Sequence, residues 1–176
     1  MTHFAAPIGN PFIKDSNALD YASATAFLSQ HRWPLGLQIS LLRNIENIPM
    51  RFFICDDSQS MTIDDGHRLV GKGAKKQLVE STRWEELRDF VQFHAGLADA
   101  AKAKSRFRLL NSGKATTVGR ADGGTNYRQL MEYMSKLPKG KTPLCYHITQ
   151  VICEIRSKCA YIYILLGCIF HNNMSL

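Results

Sequence analysis

The sequence predicts an α/β fold in which helices cover a largely parallel sheet. Segments with helical periodicity alternate along the chain with short β-prone runs. The run at 50–55 is apolar on both faces after its first residues, as expected of a central strand covered by helices on either side. A length of 176 residues and a hydrophobic content of 45% suffice for one packed domain.

Residues 1–48 are expected to form a leader and a helical extension ahead of a main domain at 49–176. Prolines and a glycine punctuate 1–17, so this segment is predicted to be extended. Apolar residues then recur at helical spacing in 19–31 and in 35–47. We expect these two helices to pack against the main domain.

The main domain is predicted to alternate strands and helices from 50 onward. A capping box, Thr82 with Glu85, marks the start of its clearest helix. The predicted elements after the first strand are a polar surface loop at 62–81, a helix at 82–102, strands at 106–110 and 116–119, a helix at 127–137 capped by Thr125 or Asn126, a helix opened by Thr142 and Pro143, and a strand at 160–166.

The charge of the chain leaves two interpretations open. Lys and Arg number 22 against 15 Asp and Glu, a net charge of +7, and much of the excess lies in 68–108. A basic face attracts phosphates, nucleic acid or acidic proteins. We favour the plainer alternative, a solvated surface on a basic protein.

Cysteine usage and the N-terminus indicate an intracellular protein, which we expect to be cytoplasmic. The five cysteines form no Cys-x-x-Cys pair, so neither a zinc site nor a disulfide framework is predicted. Cys55, Cys145 and Cys153 lie in apolar patterns and are expected to be buried free thiols. The N-terminus lacks the features of a secretory signal. The uncharged stretch 159–170 is too short for a membrane helix and is expected to hold a buried strand.

The most informative motif, Asp-x-Ser-x-Ser, follows the strand at 50–55. Asp56, Ser58 and Ser60 would place one carboxylate and two hydroxyls at one edge of the sheet. Ligands of α/β sheets bind outside the carboxyl ends of strands, and Mg²⁺ and Mn²⁺ prefer oxygen ligands. The sequence therefore predicts a binding site for a divalent cation. The plain alternative is that Asp56 and Ser58 only cap a turn.

With a strand before it and a helix after it, this motif resembles the metal ion-dependent adhesion site (MIDAS) of von Willebrand factor A-type (vWA) domains. The segment 140–144, Gly-Lys-Thr-Pro-Leu, resembles the second loop of that family, in which a threonine preceded by glycine starts a helix. The resemblance covers roughly 50–167. It implies a Rossmann-like three-layer sandwich whose mostly parallel central sheet is flanked by helices.

The resemblance also implies a role for each site residue. Ser58 and Ser60 would bind the cation directly, and Asp56 would bind it or orient its water. Thr142 would supply the oxygen from the second loop. Thr125, in Gly-Gly-Thr-Asn, is the rival for that last role; we favour Thr142, because its helix leads straight into the strand at 160–166.

The chain departs from the family pattern in three places. Gln59 stands where the motif usually has glycine, and Leu166 stands where the third loop is expected to supply an aspartate. The chain also ends before the further strands that the family would add. The resemblance is therefore to a C-terminally truncated and partly degenerate vWA domain, incomplete at its C-terminal edge. Asp57, Asp64 or Asp65 could compensate for the missing carboxylate.

The resemblance implies a protein–protein interaction module and not an enzyme. Mostly neutral ligands leave the charge of Mg²⁺ or Mn²⁺ largely uncompensated, so an open position can take a carboxylate from a partner protein. The alternatives are a metal-independent scaffold or nucleic-acid binder using 68–108, and an inactive truncated fragment. A metal-assisted hydrolase with Asp56 or Asp57 as nucleophile is disfavoured, because the sequence offers no positioned base. His94 is expected to be packed and not catalytic.

Overall fold

The computed structural model describes residues 19–48, 50–71, 75–112, 115–158 and 163–166. The predicted leader at 1–17 lies outside these residues. Within them, the predicted helices and strands are present with bounds that shift by up to three residues. The helices are α1 (Tyr21–Gln30), α2 (Leu35–Asn47), α3 (Arg83–Ala101), α4 (Thr125–Met134) and α5 (Leu144–Lys158); the strands are β1 (Arg51–Cys55), β2 (Gly66–Val70), β3 (Gln77–Ser81), β4 (Ser105–Leu109), β5 (Ala115–Val118) and β6 (Tyr163–Leu166).

The central sheet has the strand order β5-β4-β1-β6. β1 pairs in parallel with β4 on one side and with β6 on the other, whereas β5 runs antiparallel to β4. Cys55 lies opposite Leu109, and Ile54 lies opposite Leu166. The carboxyl ends of β1, β4 and β6 therefore meet at one edge, and the chain has the α/β character that the sequence predicts.

One face of the sheet is covered by α3 and α4. Side chains alternate between the two faces of a strand, so Phe53 of β1 and Phe107 of β4 point to the same side. Their rings stack with centroids 4.6 Å apart. The buried residues of this core are Phe53, Cys55, Met61, Trp84, Leu87, Val91, Ala95, Ala98, Phe107, Leu109, Val118, Leu130 and Met134.

The opposite face of β1 packs against α5. Phe52 and Ile54 form a second buried cluster there with Val151 of α5. β4 contributes charge to the same face: Arg106 forms an ion pair with Glu154 of α5, and the Arg108 guanidinium lies 3.8 Å from the same carboxylate. Helices therefore contact both faces of the sheet, as expected of a buried parallel strand.

The N-terminal helices share a buried cluster with α3. Ala24 and Leu28 of α1 and Ile45 of α2 form a third buried cluster with Leu97 of α3. The backbone N–H of Asp20 donates to the carbonyl of Ala101, 3.0 Å away. The helical extension therefore shares buried surface with the main domain, as predicted.

The prediction of a surface loop at 62–81 was wrong. β2 and β3 form an antiparallel hairpin in which Gly66 lies opposite Ser81. Leu69 and Leu78 lie opposite each other on this hairpin and are both exposed. The hairpin lies outside the central sheet and buries few apolar side chains, so its sequence lacks the alternation that marks a half-buried strand.

The prediction of three buried thiols was correct only for Cys55. Cys145 and Cys153 are exposed, because α5 turns Leu144, Ile148, Val151 and Ile155 toward the sheet and leaves its cysteines off that stripe. Burial and the nearby charge of Asp57 raise the pKa of the Cys55 thiol to about 12. This thiol is therefore protonated at neutral pH.

The predicted strand at 160–166 is present as β6, and the rest of the uncharged stretch lies outside the described residues. In the part of the chain that the structure describes, no helix has the length and apolar character needed to cross a bilayer.

His94 is packed, as expected, among the rings of Phe53, Phe90 and Phe93, whose centroids lie 4.3–5.4 Å from its own. Burial disfavours the charged imidazolium, and the Arg51 guanidinium repels it. Together they lower the pKa of His94 to about 4. The neutral ring is therefore the form that the fold accepts.

This depressed pKa makes stability depend on pH in a defined window. In the unfolded chain a histidine has a pKa near 6.5. Between about pH 6.5 and pH 4, His94 is therefore protonated in the unfolded state but not in the folded state. The free energy of unfolding should fall as pH is lowered from about 7 to about 4. Urea unfolding across this range should show a smaller loss for His94→Phe than for the unchanged protein.

His67, an exposed histidine on β2, provides the matched control. His67→Gln removes an exposed imidazole instead of the packed one, and its pH profile of stability is the reference for that of His94→Phe. If His94→Phe and the unchanged protein lost stability in parallel between pH 7 and 4, His94 would not be the group that titrates.

Candidate metal centre

The Asp-x-Ser-x-Ser loop leaves β1 at the edge where the parallel strands end. The backbone N–H of Ser58 donates to Asp56 Oδ1, 2.9 Å away, which closes a turn through the aspartate side chain. A single 3₁₀ turn, Gln59–Thr62, follows directly and carries Ser60 back toward Ser58. Ser58 is only 1% exposed, whereas Ser60 is exposed, so the motif runs from the protein interior to its surface.

The two serine hydroxyls have the spacing of neighbouring metal ligands. Ser58 Oγ and Ser60 Oγ lie 3.0 Å apart and share a hydrogen bond. In an octahedral Mg²⁺ site with ligand distances of about 2.1 Å, adjacent ligand oxygens are about 3.0 Å apart. The pair therefore fits two adjacent positions around such an ion. Both hydroxyl protons would turn outward, so the ion would replace the hydrogen bond between the two serines.

Asp57 faces inward and holds the loop to the end of β4. Its Oδ1 accepts from the backbone N–H of Asn111, 2.8 Å away, and from Asn111 Nδ2, 3.0 Å away. Asn111 Nδ2 also donates to the carbonyl of Lys141, at 2.9 Å. One amide side chain therefore joins the motif loop, the end of β4 and the second predicted loop.

The backbone of the second loop is bonded directly to the motif loop. The N–H of Lys139 donates to the carbonyl of Asp57 at 2.8 Å, and the N–H of Gln59 donates to the carbonyl of Gly140 at 3.1 Å. Thr142 follows two residues later at an exposed position, and its carbonyl accepts from the N–H of Leu144, where α5 begins. The fold thus brings the segment before Thr142 against the segment that carries Ser58 and Ser60.

Thr125 lies at the other end of the sheet. β5 runs antiparallel to β4, and its last residue, Val118, pairs with Ser105 at the start of β4. The chain that leads to Thr125 therefore leaves from the edge opposite the Asp-x-Ser-x-Ser loop. This topology favours Thr142 over Thr125 as the partner of the motif.

The predicted cap of α4 was wrong. Gly124 precedes the helix with φ +75°, and the carboxylate of Asp122 accepts from the N–H groups of Gly124 and Asn126. Thr125 instead donates its hydroxyl to the carbonyl of Asp122. A carboxylate two residues ahead of the glycine satisfies the first N–H groups, so neither Thr125 nor Asn126 is needed as a cap.

Two of the three carboxylates that could compensate for the missing third-loop aspartate are engaged elsewhere. Asp57 is held by Asn111, and Asp65 forms an ion pair with Arg83. Leu166, which stands where the third loop is expected to supply an aspartate, ends β6 opposite Ile54, at the edge where the motif lies. Among the described residues, no group of three or more His, Cys, Asp or Glu is placed to hold a metal ion. The predicted ligands are one carboxylate, Asp56, and three hydroxyls.

Asn111 is a site residue that sequence reasoning missed. The available signal was its position directly after the strand predicted at 106–110, because the carboxyl ends of parallel neighbours meet at one edge. The sequence does not show that its side chain reaches both Asp57 and the carbonyl of Lys141. Only the packing of three loops defines that bridge.

Several basic side chains of the segment 68–108 lie beside carboxylates. Lys102 lies 3.8 Å from Asp99, and Arg68 lies 3.6 Å from Glu85 and 3.8 Å from Asp89. Arg106 and Arg108 face Glu154 on the side of β4 that α5 covers. These four basic side chains therefore have acidic neighbours, whereas Lys75 and Lys76 of the same segment are exposed.

Comparison with protein-family models, with curated proteins and with solved structures found no match to this chain. The resemblance to vWA domains therefore depends on the motif and on the geometry around it, and it stays a prediction.

A substitution at Gly140 tests how tightly the second loop is held against the motif loop. Gly140 has φ +94°, and a Cβ at this position would overlap Asn111 Oδ1. Asn111 cannot move aside without weakening its bonds to Asp57 and Lys141. Gly140→Ala should therefore lower the free energy of unfolding by more than the roughly 1–2 kcal/mol of left-handed backbone strain alone. Urea unfolding measures this loss.

Gly123→Ala is the matched control, because Gly123 has φ +64° but open space around its Cβ. It should show the backbone strain without the overlap. In an Asn111→Ala background the excess cost of Gly140→Ala should disappear, as expected for residues in contact. If Gly140→Ala and Gly123→Ala lowered the free energy of unfolding equally, Asn111 would not hold the two loops together.

Proposed function

We propose that this chain is a vWA-type interaction module that binds an acidic residue of a partner protein through Mg²⁺ or Mn²⁺. Asp56, Ser58, Ser60 and Thr142 would hold the ion. The observation that carries the proposal is the 3.0 Å spacing of the Ser58 and Ser60 hydroxyls in a loop bonded to the segment before Thr142. The helices on both faces of the parallel strands support the finer fold, a Rossmann-like three-layer sandwich.

The charges around the site favour an anionic partner. The ligand set supplies one negative charge, from Asp56, to a doubly charged ion. Asp57, the adjacent carboxylate, is turned inward to Asn111 and is buried. Lys139 and Lys141 are exposed on the second loop. A partner carboxylate could therefore complete the coordination of the ion while nearby acidic residues meet the two lysines.

The surroundings of the site favour binding over catalysis. His147, at the start of α5, lies with its Nε2 2.8 Å from the carbonyl oxygen of Leu110 at the end of β4. His94 is packed among three phenylalanine rings on the α3 side of the sheet. Asp57, one of the two candidate nucleophiles, is hydrogen-bonded to Asn111. Each of these groups already has a structural role, so the ion would serve as an electrostatic bridge between two proteins.

Metal binding should raise thermal stability. An ion that binds only the folded state stabilises it by about 2.7 kcal/mol at a concentration one hundred times its Kd. Titration with Mg²⁺ or Mn²⁺ should therefore raise the Tm, and the double variant Ser58→Ala, Ser60→Ala should abolish the rise. The measurement is the shift of Tm with cation, because loss of the hydrogen bond between the serines lowers the starting Tm by itself.

Two threonine variants separate the second loop from its rival. Thr142→Ala should weaken the cation-dependent rise in Tm, and Thr125→Ala should leave it unchanged. The proposed site would be contradicted if the Tm still rose with cation after both serines were replaced, or if the Tm of the unchanged protein did not rise at millimolar Mg²⁺ and Mn²⁺.

Partner recognition should need the ion, and the lysines of the second loop should speed association. On an array of glutamate-containing peptides with glutamine counterparts, binding should require glutamate and should vanish with EDTA. Lys139→Ala, Lys141→Ala should slow association by roughly 3–10-fold at low salt, because exposed charges mainly steer encounter.

Lys75 and Lys76, which are exposed beside the β2–β3 hairpin, provide the control pair. Their replacement by alanine should leave peptide association unchanged. Binding that persists in EDTA and falls equally for both lysine pairs would indicate general basic attraction, as in the nucleic-acid or scaffold alternative.

A further inference from the structure

A separate cavity of about 340 Å³ opens where α1, α3 and α4 meet. It lies within the size range of small-molecule sites, roughly 300–1,000 Å³. None of the residues that line it belongs to the proposed metal centre. They are four ring-bearing residues and two polar ones: Phe27, His31, Phe93, Tyr127, Asp89 and Gln92.

The rings of this cavity form walls set at angles to one another. Phe27 and Phe93 have centroids 5.6 Å apart and planes inclined by 49°. His31 lies 5.3 Å from Phe93 at 78°. His31 packs closely on Phe27, with centroids 4.2 Å apart and planes inclined by 31°, so these two rings form one wall and Phe93 forms another. Tyr127 also lines the space, so a guest there would meet aromatic rings on more than one side.

The walls are held in place by neighbours. Trp33 stacks on Phe93 at 5.3 Å and 10°, from beside the cavity. A Cβ at Gly96 would lie 2.9 Å from the Phe27 ring, so glycine at this position lets that ring rest on α3. His31 Nδ1 lies 2.8 Å from the carbonyl oxygen of Phe27. A cavity whose walls are already ordered loses little entropy when it binds a guest.

One carboxylate, Asp89, lines the cavity, and it belongs to a charged cluster beside it. The Arg68 guanidinium faces two carboxylates, Glu85 at 3.6 Å and Asp89 at 3.8 Å. These three side chains sum to one negative charge. The Asp89 side chain is 52% exposed. π-faces together with a carboxylate attract a cation, above all one whose charge is spread over methyl groups and is weakly hydrated.

We propose that this cavity binds a quaternary or methylated ammonium group, with Phe27, Phe93 and Tyr127 against its methyl groups and Asp89 at its charge. The site is independent of the divalent cation, because it is built on helices and uses none of the metal-centre residues.

Choline and its uncharged isostere 3,3-dimethyl-1-butanol test this assignment on the full chain, in EDTA. Saturation-transfer NMR on the ligand methyl groups and the fluorescence of Trp33, which stacks on Phe93, report binding. Choline should bind about 5–30-fold more tightly, the ratio expected for a cation–π gain of about 1–2 kcal/mol. Equal affinity of the two compounds, or no binding of choline at 10 mM ligand or more, would overturn the proposal.

Two variants at the rim separate ligand contact from stability. Asp89→Asn and Arg68→Gln break the same ion pair from opposite sides. Asp89→Asn should weaken choline binding at least about threefold, whereas Arg68→Gln should preserve or strengthen it, because it removes a competing cation. If both variants weakened binding alike, the ion pair would only be supporting the fold, and Asp89 would not contact the guest.

Discussion

The structure depends on the position of β1, which is buried on both faces and paired on both sides. All five of its residues, Arg51–Cys55, are buried. Because its neighbours β4 and β6 run parallel to it, three strands end at one edge, and the loops that leave β1 and β4 are bonded to each other there. Burial also reaches the start of the strand, where it lowers the pKa of Arg51 to about 10 while its guanidinium donates to the carbonyl of Ala103.

The adjacent residues Asp56 and Asp57 have different hydrogen-bond partners at this edge. Asp56 closes a surface turn through the N–H of Ser58, and Asp57 points inward to Asn111. Asp57 stands at a variable position of the Asp-x-Ser-x-Ser pattern, yet it ties the loop to β4 and, through Asn111, to the second loop. The geometry of the hydroxyl pair therefore depends on residues that the motif does not specify.

The two proposed sites recognise opposite charges with different parts of the fold. At the sheet edge, Asp56 would be the one carboxylate ligand of a divalent cation, so the positive charge that remains on the ion would attract an anionic partner. Between the helices, aromatic rings and the net negative charge of the cluster Arg68, Glu85 and Asp89 would favour a cationic ligand. A basic chain can hold both because much of its positive charge is paired internally, as with Arg106 and Glu154 between β4 and α5.

The sequence by itself determined the local elements and the identity of the ligand candidates. The capping box at Thr82 predicted the start of α3, and the run at 50–55 predicted the buried strand, because both signals are contained in neighbouring residues. It failed at the hairpin of β2 and β3 and at the exposed thiols of α5. There the outcome depends on which face another element covers.

Tertiary structure alone decided what meets at the sheet edge and between the helices. The bridge from Asn111 to Asp57 and Lys141 joins residues up to 54 positions apart, and no local pattern encodes such a contact. The same holds for the open cavity where α1, α3 and α4 meet. Periodicity shows that a ring lies on an apolar face, but only the packing of three helices shows that several rings face one space.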